Sequence, residues 1–249
     1  MLDKKKNLYI GGEELERYSK QILIKNIGGD GQRKLKSSKV LVIGLGGLGS
    51  PVVTHLSSAG VGQIGLVDND IVDLSNLQRQ FIHNVDRIGL NKTESAKIFI
   101  NKLNPNLIIY DYVTDAKSPE LKKIIAEYDI IIDCTDNFET RFKIADDCQK
   151  YKKPYILGTV RAYEGQITTI LPSTLKINNP KIRSLFNEEN TVNSLDDCSD
   201  EGILSITTTL VGTIMASECL KIILNLKEGL FGKMLMVDLL NLRFETIKY

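Results

Sequence analysis

The stretch Gly44-Leu45-Gly46-Gly47-Leu48-Gly49 places four glycines in six residues between a strand-like run and a helix-like one. Glycines let backbone N–H groups approach a phosphate closely, and the start of the following helix adds a favourable dipole. Asp68 follows 19 residues after Gly49, where an acid can bind ribose hydroxyls. A nicotinamide or flavin dinucleotide is the default ligand for such a loop, but two features oppose it. The polar segment from Asp70 to Gln80 (DIVDLSNLQRQ) holds Asn76 and Arg79, and Lys92 opens the next helical pattern. Two cations near a glycine loop suit a triphosphate, whose departing pyrophosphate needs a charge clamp. Asp136, in Asp133-Cys134-Thr135-Asp136-Asn137, follows a strand end where ligands bind in open α/β sheets. A carboxylate beside a polyphosphate most naturally holds Mg²⁺.

Strand-like and helix-like runs alternate through the first 160 residues and position these groups. The strand candidates are Lys39 to Gly44, Ile64 to Asp68, Leu107 to Tyr112, Asp129 to Cys134 and Tyr155 to Leu157. Their nearly continuous Val/Ile/Leu content predicts burial on both faces of a parallel sheet. Ser50 to Ala59, Asn91 to Leu103, Pro119 to Ala126 and Phe138 to Tyr151 have helical spacing and fit as crossovers. Beyond residue 160, Gly165 to Leu171, Met234 to Asp238 and Arg243 to Lys248 bracket an apolar helix from about Ile203 to Leu226. Strands joined without crossovers predict an antiparallel extension. The expected fold is a single α/β domain over 1–249, Rossmann-like and mostly parallel, with antiparallel C-terminal strands. It divides into an N-terminal helical segment (1–37), a nucleotide-binding half (38–160) and the extension (161–249), whose polar loop at 172–201 suits carrier or dimer contacts. Glu13 to Lys25, with Leu15, Tyr18 and Ile22 apolar, predicts an amphipathic helix beside the sheet or against a second subunit.

Composition excludes several classes. Thirty-two Lys plus Arg against 31 Asp plus Glu leave a net charge of +1, so a nucleic-acid partner is not expected. The uncharged run from Gly202 to Ser217 is shorter than the roughly 20 residues that span a bilayer, so a membrane is not expected either. Four cysteines, at 134, 148, 198 and 219, form no C-x-x-C pair. A disulfide framework is therefore not expected, and the setting is read as reducing and cytoplasmic. Cys134, Cys148 and Cys219 fall in a strand end and two helices and read as packing residues. His83 lies near the nucleotide loop without a second histidine, and a structural part is favoured for it.

Several of these segments together resemble a known family. RYSKQI (Arg17 to Ile22), GLGGLGSP (Gly44 to Pro51), AGVGQIGLVDNDIVDLSNLQRQ (Ala59 to Gln80), K-x-x-S-A (Lys92 to Ala96), Asn104-Pro105, DCTDN (Asp133 to Asn137) and EGQIT (Glu164 to Thr168) resemble the E1-like adenylating enzymes of the ThiF/MoeB/HesA type. The resemblance implies ATP and Mg²⁺ as reagents and a small ubiquitin-like sulfur carrier ending in Gly-Gly as partner. The carrier's C-terminal glycine would be adenylated, pyrophosphate released, and sulfur accepted for thiamine, molybdopterin or related pathways. It also implies a homodimer. Carried over by position, Gly46 and Gly47 meet the phosphates and Asp68 the ribose. Asp70, Ser75, Asn76, Leu77, Gln78, Arg79, Lys92 and Asn137 surround the nucleotide, and Asp136 takes Mg²⁺. Arg79, Lys92 and Asp136 are the implied catalytic residues.

Three departures from the family pattern stand out. Lys181 and Ser184 occupy the positions of one zinc-binding C-x-x-C pair, and no second pair stands before Tyr249. Zinc is therefore not expected. Lys20 replaces the arginine that reaches the partner's nucleotide, keeping charge without the planar fork, so either Lys20 serves in trans at reduced rate, or Arg17 compensates, or the activity is altered. Cys198 aligns with a loop cysteine that some members link to the carrier. Its acidic neighbours Asp196, Asp197, Asp200 and Glu201 would raise a thiol pKa. A nucleophile and a spare thiol both remain open for Cys198. Two other functions compete: adenylation of a short peptide C-terminus in peptide-antibiotic maturation, and a non-catalytic scaffold binding nucleotide or carrier. A dehydrogenase ranks last, since no segment resembles a nicotinamide-facing substrate domain.

Overall fold

Val/Ile/Leu runs with a two-residue side-chain period build the centre of the molecule, because burying both faces of a strand removes the most apolar surface from water per residue. The structure, a computed structural model, describes residues 9–172, 182–186 and 202–249. Cys198, Lys181 and most of the 172–201 loop lie outside those residues. Eight strands form one mixed sheet: β1 (Lys39–Ile43), β2 (Gln63–Val67), β3 (Ile108–Tyr112), β4 (Ile130–Asp133), β5 (Tyr155–Arg161), β6 (Glu164–Ile170), β7 (Lys233–Asp238) and β8 (Arg243–Lys248). Their order is β3-β2-β1-β4-β5-β6-β7-β8. The first five pair parallel and the last three antiparallel. The mostly parallel sheet with an antiparallel extension is as the sequence pattern predicts.

The described helices are α1 (Glu13–Ile22), α2 (Gly28–Ser37), α3 (Gly49–Ala59), α4 (Lys92–Leu103), α5 (Leu121–Glu127), α6 (Phe138–Tyr151), α7 (Ile182–Leu185) and α8 (Ser205–Leu224). One core joins Val40, Val42, Ile64 and Leu66 to Val52, Leu56, Ile100, Val211 and Met215, setting α3, α4 and α8 on one face. The other joins Leu41, Ile43 and Ile131 to Leu121, Ile125, Phe142 and Ile144, setting α5 and α6 on the opposite face. By length and composition α8 could cross a membrane, yet it lies in the core on α3, β5 and β6 and buries Glu218 completely. That carboxylate accepts hydrogen bonds from Lys221 Nζ (2.5 Å) and from the backbone N of Leu230 (2.7 Å), tying the turn before β7 to the helix.

Four sequence expectations need correction. β3 is an edge strand rather than a doubly buried one, with Ile108 and Tyr110 exposed, because no strand follows it on that side. The N-terminal helical segment holds a second helix, α2, beyond the one expected from Glu13 to Lys25; three glycines among its first four residues give no helical spacing, and it is held by buried Leu35 and Gln32. β5 runs on to Arg161, since its polar end still pairs with β6. α1 stops at Ile22 and buries Tyr18 but leaves Leu15 exposed.

α6 and α8 both end on left-handed residues, Lys152 (φ 54°) and Asn225 (φ 57°). A lysine β-carbon there costs about 1–2 kcal/mol, partly offset by the greater chain entropy that glycine loses. Lys152→Gly should stabilise the fold by about 1 kcal/mol in urea denaturation at 25 °C. Asn225→Gly should be nearly neutral, because asparagine tolerates this conformation.

Candidate functional site

The chain runs from β1 outward to β3 and then returns to place β4 on the other side of β1. At such a switch point the connections leave the strand ends in opposite directions and open a crevice. Here it is a cleft of about 870 Å³, within the range of small-molecule sites. Gly46, Gly47, Asp68, Asp70, Asn76, Arg79, Lys92, Asp136 and Asn137 all line it. Ser75, Leu77 and Gln78 do not, although Ser75 O accepts from Arg79 Nη1 at 3.2 Å and so orients that cation.

The glycines of the loop serve different contacts. Gly44 has φ +91°, and a β-carbon there would lie 2.8 Å from Cys134 O. A β-carbon on Gly47 would meet the Thr208 side chain at 2.9 Å, so this glycine also lets α8 approach the loop.

Asp68, at the end of β2, accepts from Leu45 N (2.7 Å) and Asp70 N (2.8 Å). Burial raises its carboxyl pKa, and the Lys92 charge opposes that shift. Lys92 is buried at the start of α4, and its Nζ lies 2.7 Å from exposed Asp70. The turn after β2 is organised by Asp73, which accepts from Ser75 N (2.8 Å) and Ser75 Oγ (2.6 Å) while its own N–H donates to Asn76 Oδ1. That capping fixes the backbone from which Asn76 and Arg79 project.

Across the cleft, β4 ends on fully buried Asp133. Its Oδ1 accepts from Thr135 N (2.9 Å) and Thr135 Oγ1 (2.7 Å), and its Oδ2 from Tyr155 OH (2.6 Å). Arg141 Nη2 donates to Thr135 O at 2.6 Å, with its guanidinium over the Phe138 ring. Asn137 caps α6 through Thr140 N (3.0 Å). Asp136, exposed between these anchors, makes no ion pair with any described residue. The arrangement presents a half-buried carboxylate, two cations and a solvent-facing carboxylate around one glycine loop.

Arg17 and Lys20 do not line this cleft. Arg17 Nη1 donates instead to Leu103 O at 2.8 Å, and Lys20 is exposed on α1. Cys134, Cys148 and Cys219 are buried, and burial pushes their thiols up, so none is poised as a thiolate. Lining residues missed from sequence include Gln80, Arg141 and Thr208. Gln80 adjoins Arg79, and Arg141 stands four residues after the cap Asn137, spacings that were legible; Thr208 had no local signal.

These features define an α/β protein with a glycine loop and a charged cleft at its strand switch point. The chain belongs to the ThiF family, whose sequence profile matches residues 18–249. It is 41% identical over 237 residues to a probable molybdopterin-synthase adenylyltransferase of Porphyra purpurea, covering 95% of this chain and 61% of that one. It is 36% identical over 242 residues to the SAMP-activating enzyme E1 of Haloferax volcanii, covering 97% and 88%. The chain thus spans under two thirds of the algal relative's length. In fold it is similar to Escherichia coli MccB crystallised with ATP, with a TM-score of 0.81 at 22% identity over 93% of this chain and 71% of that one.

His83 links the glycine loop to α4. Its Nε2 faces Leu45 O (3.2 Å) and its Nδ1 faces Ser95 Oγ (2.8 Å) on α4. Because a carbonyl only accepts, the neutral ring carries its proton on Nε2 and accepts from the serine. Burial lowers its pKa from 6.5 to about 4. Between those values the unfolded chain binds a proton that the native chain refuses, so stability falls as pH drops through this window. The urea midpoint should therefore decrease from pH 7 to pH 5, and His83→Gln should flatten that dependence; equal slopes in the two proteins would assign it elsewhere.

Proposed function

We propose that this cleft uses ATP to adenylate the C-terminal glycine carboxylate of a small ubiquitin-like sulfur carrier ending in Gly-Gly. The observation that carries this reading is the meeting of Asp68, Asn76, Arg79, Lys92 and Asp136 around the glycine loop at the strand switch point. The names of the algal and archaeal relatives support it, one an adenylyltransferase and the other an activating E1. Asp68, still an acceptor from two backbone N–H groups, takes the ribose. The Gly46–Gly47 backbone and the start of α3 receive phosphate. Asp136, with its oxygens open to the cleft, suits a hard cation; bound Mg²⁺ would screen the triphosphate charge.

A terminal carboxylate is ionised at neutral pH and needs no general base. Its oxygen attacks the α-phosphorus as the bond to the β-phosphate oxygen breaks, and pyrophosphate leaves with that electron pair. Charge builds on the leaving group, where Arg79 and Lys92 stabilise it. Lys92 must exchange Asp70 for phosphate to do so. Asp70 is exposed and water can take over its solvation, so the exchange costs little.

Lys20, or Arg17 in its place, would act across a homodimer, where α1 of one subunit meets the cleft of the other. Zinc is not expected, since Ser184 stands exposed on α7 where a thiolate ligand would be needed.

The test is ATP–pyrophosphate exchange with Mg²⁺ and candidate carriers ending in Gly-Gly. Arg79→Ala and Asp136→Asn should each lower exchange at least about 100-fold, as loss of one transition-state charge contact does, with Tm unchanged. Absence of exchange with every carrier would overturn the reading. For the dimer, Lys20→Ala mixed with Asp136→Asn should regain exchange that neither shows alone; no regain would remove the trans assignment for Lys20.

A further inference from the structure

Helix α1 is joined to the rest of the chain through polar groups. Of its side chains only Tyr18 is buried, while Leu15 on it and Leu23 and Ile24 just after it are exposed. Tyr18 enters a socket at the C-terminal end of α3, where Gly60 has φ +82° and a β-carbon on it would lie 2.6 Å from Tyr18 OH. The hydroxyl accepts a hydrogen bond from Asn104 Nδ2 (2.8 Å), and the same amide nitrogen donates to Ser57 O (2.9 Å). Asn104 is fully buried. Near the end of the helix, Gln21 Nε2 donates to Gln32 Oε1 (2.6 Å) and Ala59 O (3.0 Å). Near its start, Glu14 pairs with Lys36 of α2 at 2.6 Å. Arg17 Nη1 donates to Leu103 O at 2.8 Å, beside Asn104.

Apolar contact is non-directional, so a helix held by buried area alone can turn on its axis, whereas buried hydrogen bonds allow it one setting. A phenylalanine would fill the Gly60 socket equally well, and packing therefore does not call for the hydroxyl. What the hydroxyl supplies is a partner for the buried Asn104 donor and a fixed direction for the helix. That setting turns Arg17 toward its own subunit. At about 100° per residue, Lys20 lies about 200° round the helix from Tyr18, and it is exposed. We propose that the Tyr18–Asn104 hydrogen bond sets the rotation of α1 so that Lys20, and not Arg17, is the cation offered to the partner's cleft. Tyr18 and Asn104 are then positioning residues, which touch no reactant and act through Lys20. The inference rests on the adenylation reading and its homodimer, and it decides between the two cations which that reading leaves open.

The experiment is ATP–pyrophosphate exchange by the full chain with Mg²⁺ and a carrier ending in Gly-Gly, for wild type, Tyr18→Phe, Lys20→Ala and the double variant. Tyr18→Phe keeps the ring in its socket and should lower exchange about tenfold, the scale of one buried hydrogen bond. Because Tyr18 acts through Lys20, the double variant should exchange within about twofold of Lys20→Ala. Tyr18→Phe mixed with Asp136→Asn should regain exchange, since the intact α1 of one subunit then serves the intact cleft of the other. A tyrosine that only supported its own subunit's fold would give neither result. Unchanged exchange in Tyr18→Phe, multiplied losses in the double variant or no regain on mixing would each overturn the assignment, and so would wild-type exchange in Lys20→Ala. Independently of activity, Tyr18→Phe should speed amide hydrogen exchange over α1 and leave β1 and β4 unchanged; equal protection of α1 would also overturn it. Wild type without pyrophosphate exchange on any carrier would defeat the adenylation reading itself, while the amide protection of α1 still decides what the hydrogen bond does.

Discussion

The backbone crossing at Gly44 fixes the geometry on which the rest of the cleft depends. There β1 leaves the sheet with φ +91° against the carbonyl of Cys134, closer than any β-carbon allows. Hydrogen bonds from Gly44 N to Val67 O and from Cys134 N to Ile43 O, both 2.8 Å, lace the ends of β1, β2 and β4 together at that point. A side chain at 44 would push the end of β4 away and carry Asp133 to Asn137 with it. The distance between Asp68 and the solvent-facing Asp136 is thus set by an absent β-carbon. Each of those acids then needs only local hydrogen bonds to hold its orientation.

The buried polar groups around this crossing support the loops. Asp133 organises the turn that bears Asp136, His83 joins the glycine loop to α4, and Glu218 anchors the turn before β7. All three are almost fully enclosed, where their hydrogen bonds are strong and difficult to replace. Of the charges that face the cleft, Lys92 and Arg141 are buried as well, whereas others are more open. Asp136 and Asp70 are exposed and Arg79 is half-buried. Enclosed groups fix the backbone, and the wetter ones are left to meet ligand.

Much of this was legible in the sequence, for identifiable reasons. The glycine loop, Asp68 and Asp136 occupy fixed positions at strand ends, so the strand pattern alone located them. The parallel half announced itself through uninterrupted Val/Ile/Leu runs, and the antiparallel half through strands too close for crossovers. The failures share a physical cause: local composition does not report tertiary position. Ile108 and Tyr110 look like core residues, yet nothing lies beyond β3 to cover them. Three glycines in α2 argue against a helix until Leu35 and Gln32 are seen packed beneath α1 and α8. Thr208 reaches the glycine loop only because α8 lies across the sheet, a contact no spacing rule contains.

The sheet order also bears on how the molecule assembles. β5 with β6 and β7 with β8 are hairpins, whose partners are neighbours in the chain and close over short loops. β1 pairs with β4 as Val40 against Ile130, joining segments with β2, β3 and three helices strung between them. Loop-closure entropy makes such pairings slow to form. The Gly44 crossing therefore exists only after one of the longest closures in the chain. During synthesis β4 follows β1 by most of the first half of the protein, so the cleft is completed late, and the apolar edge of β1 must wait for its partner.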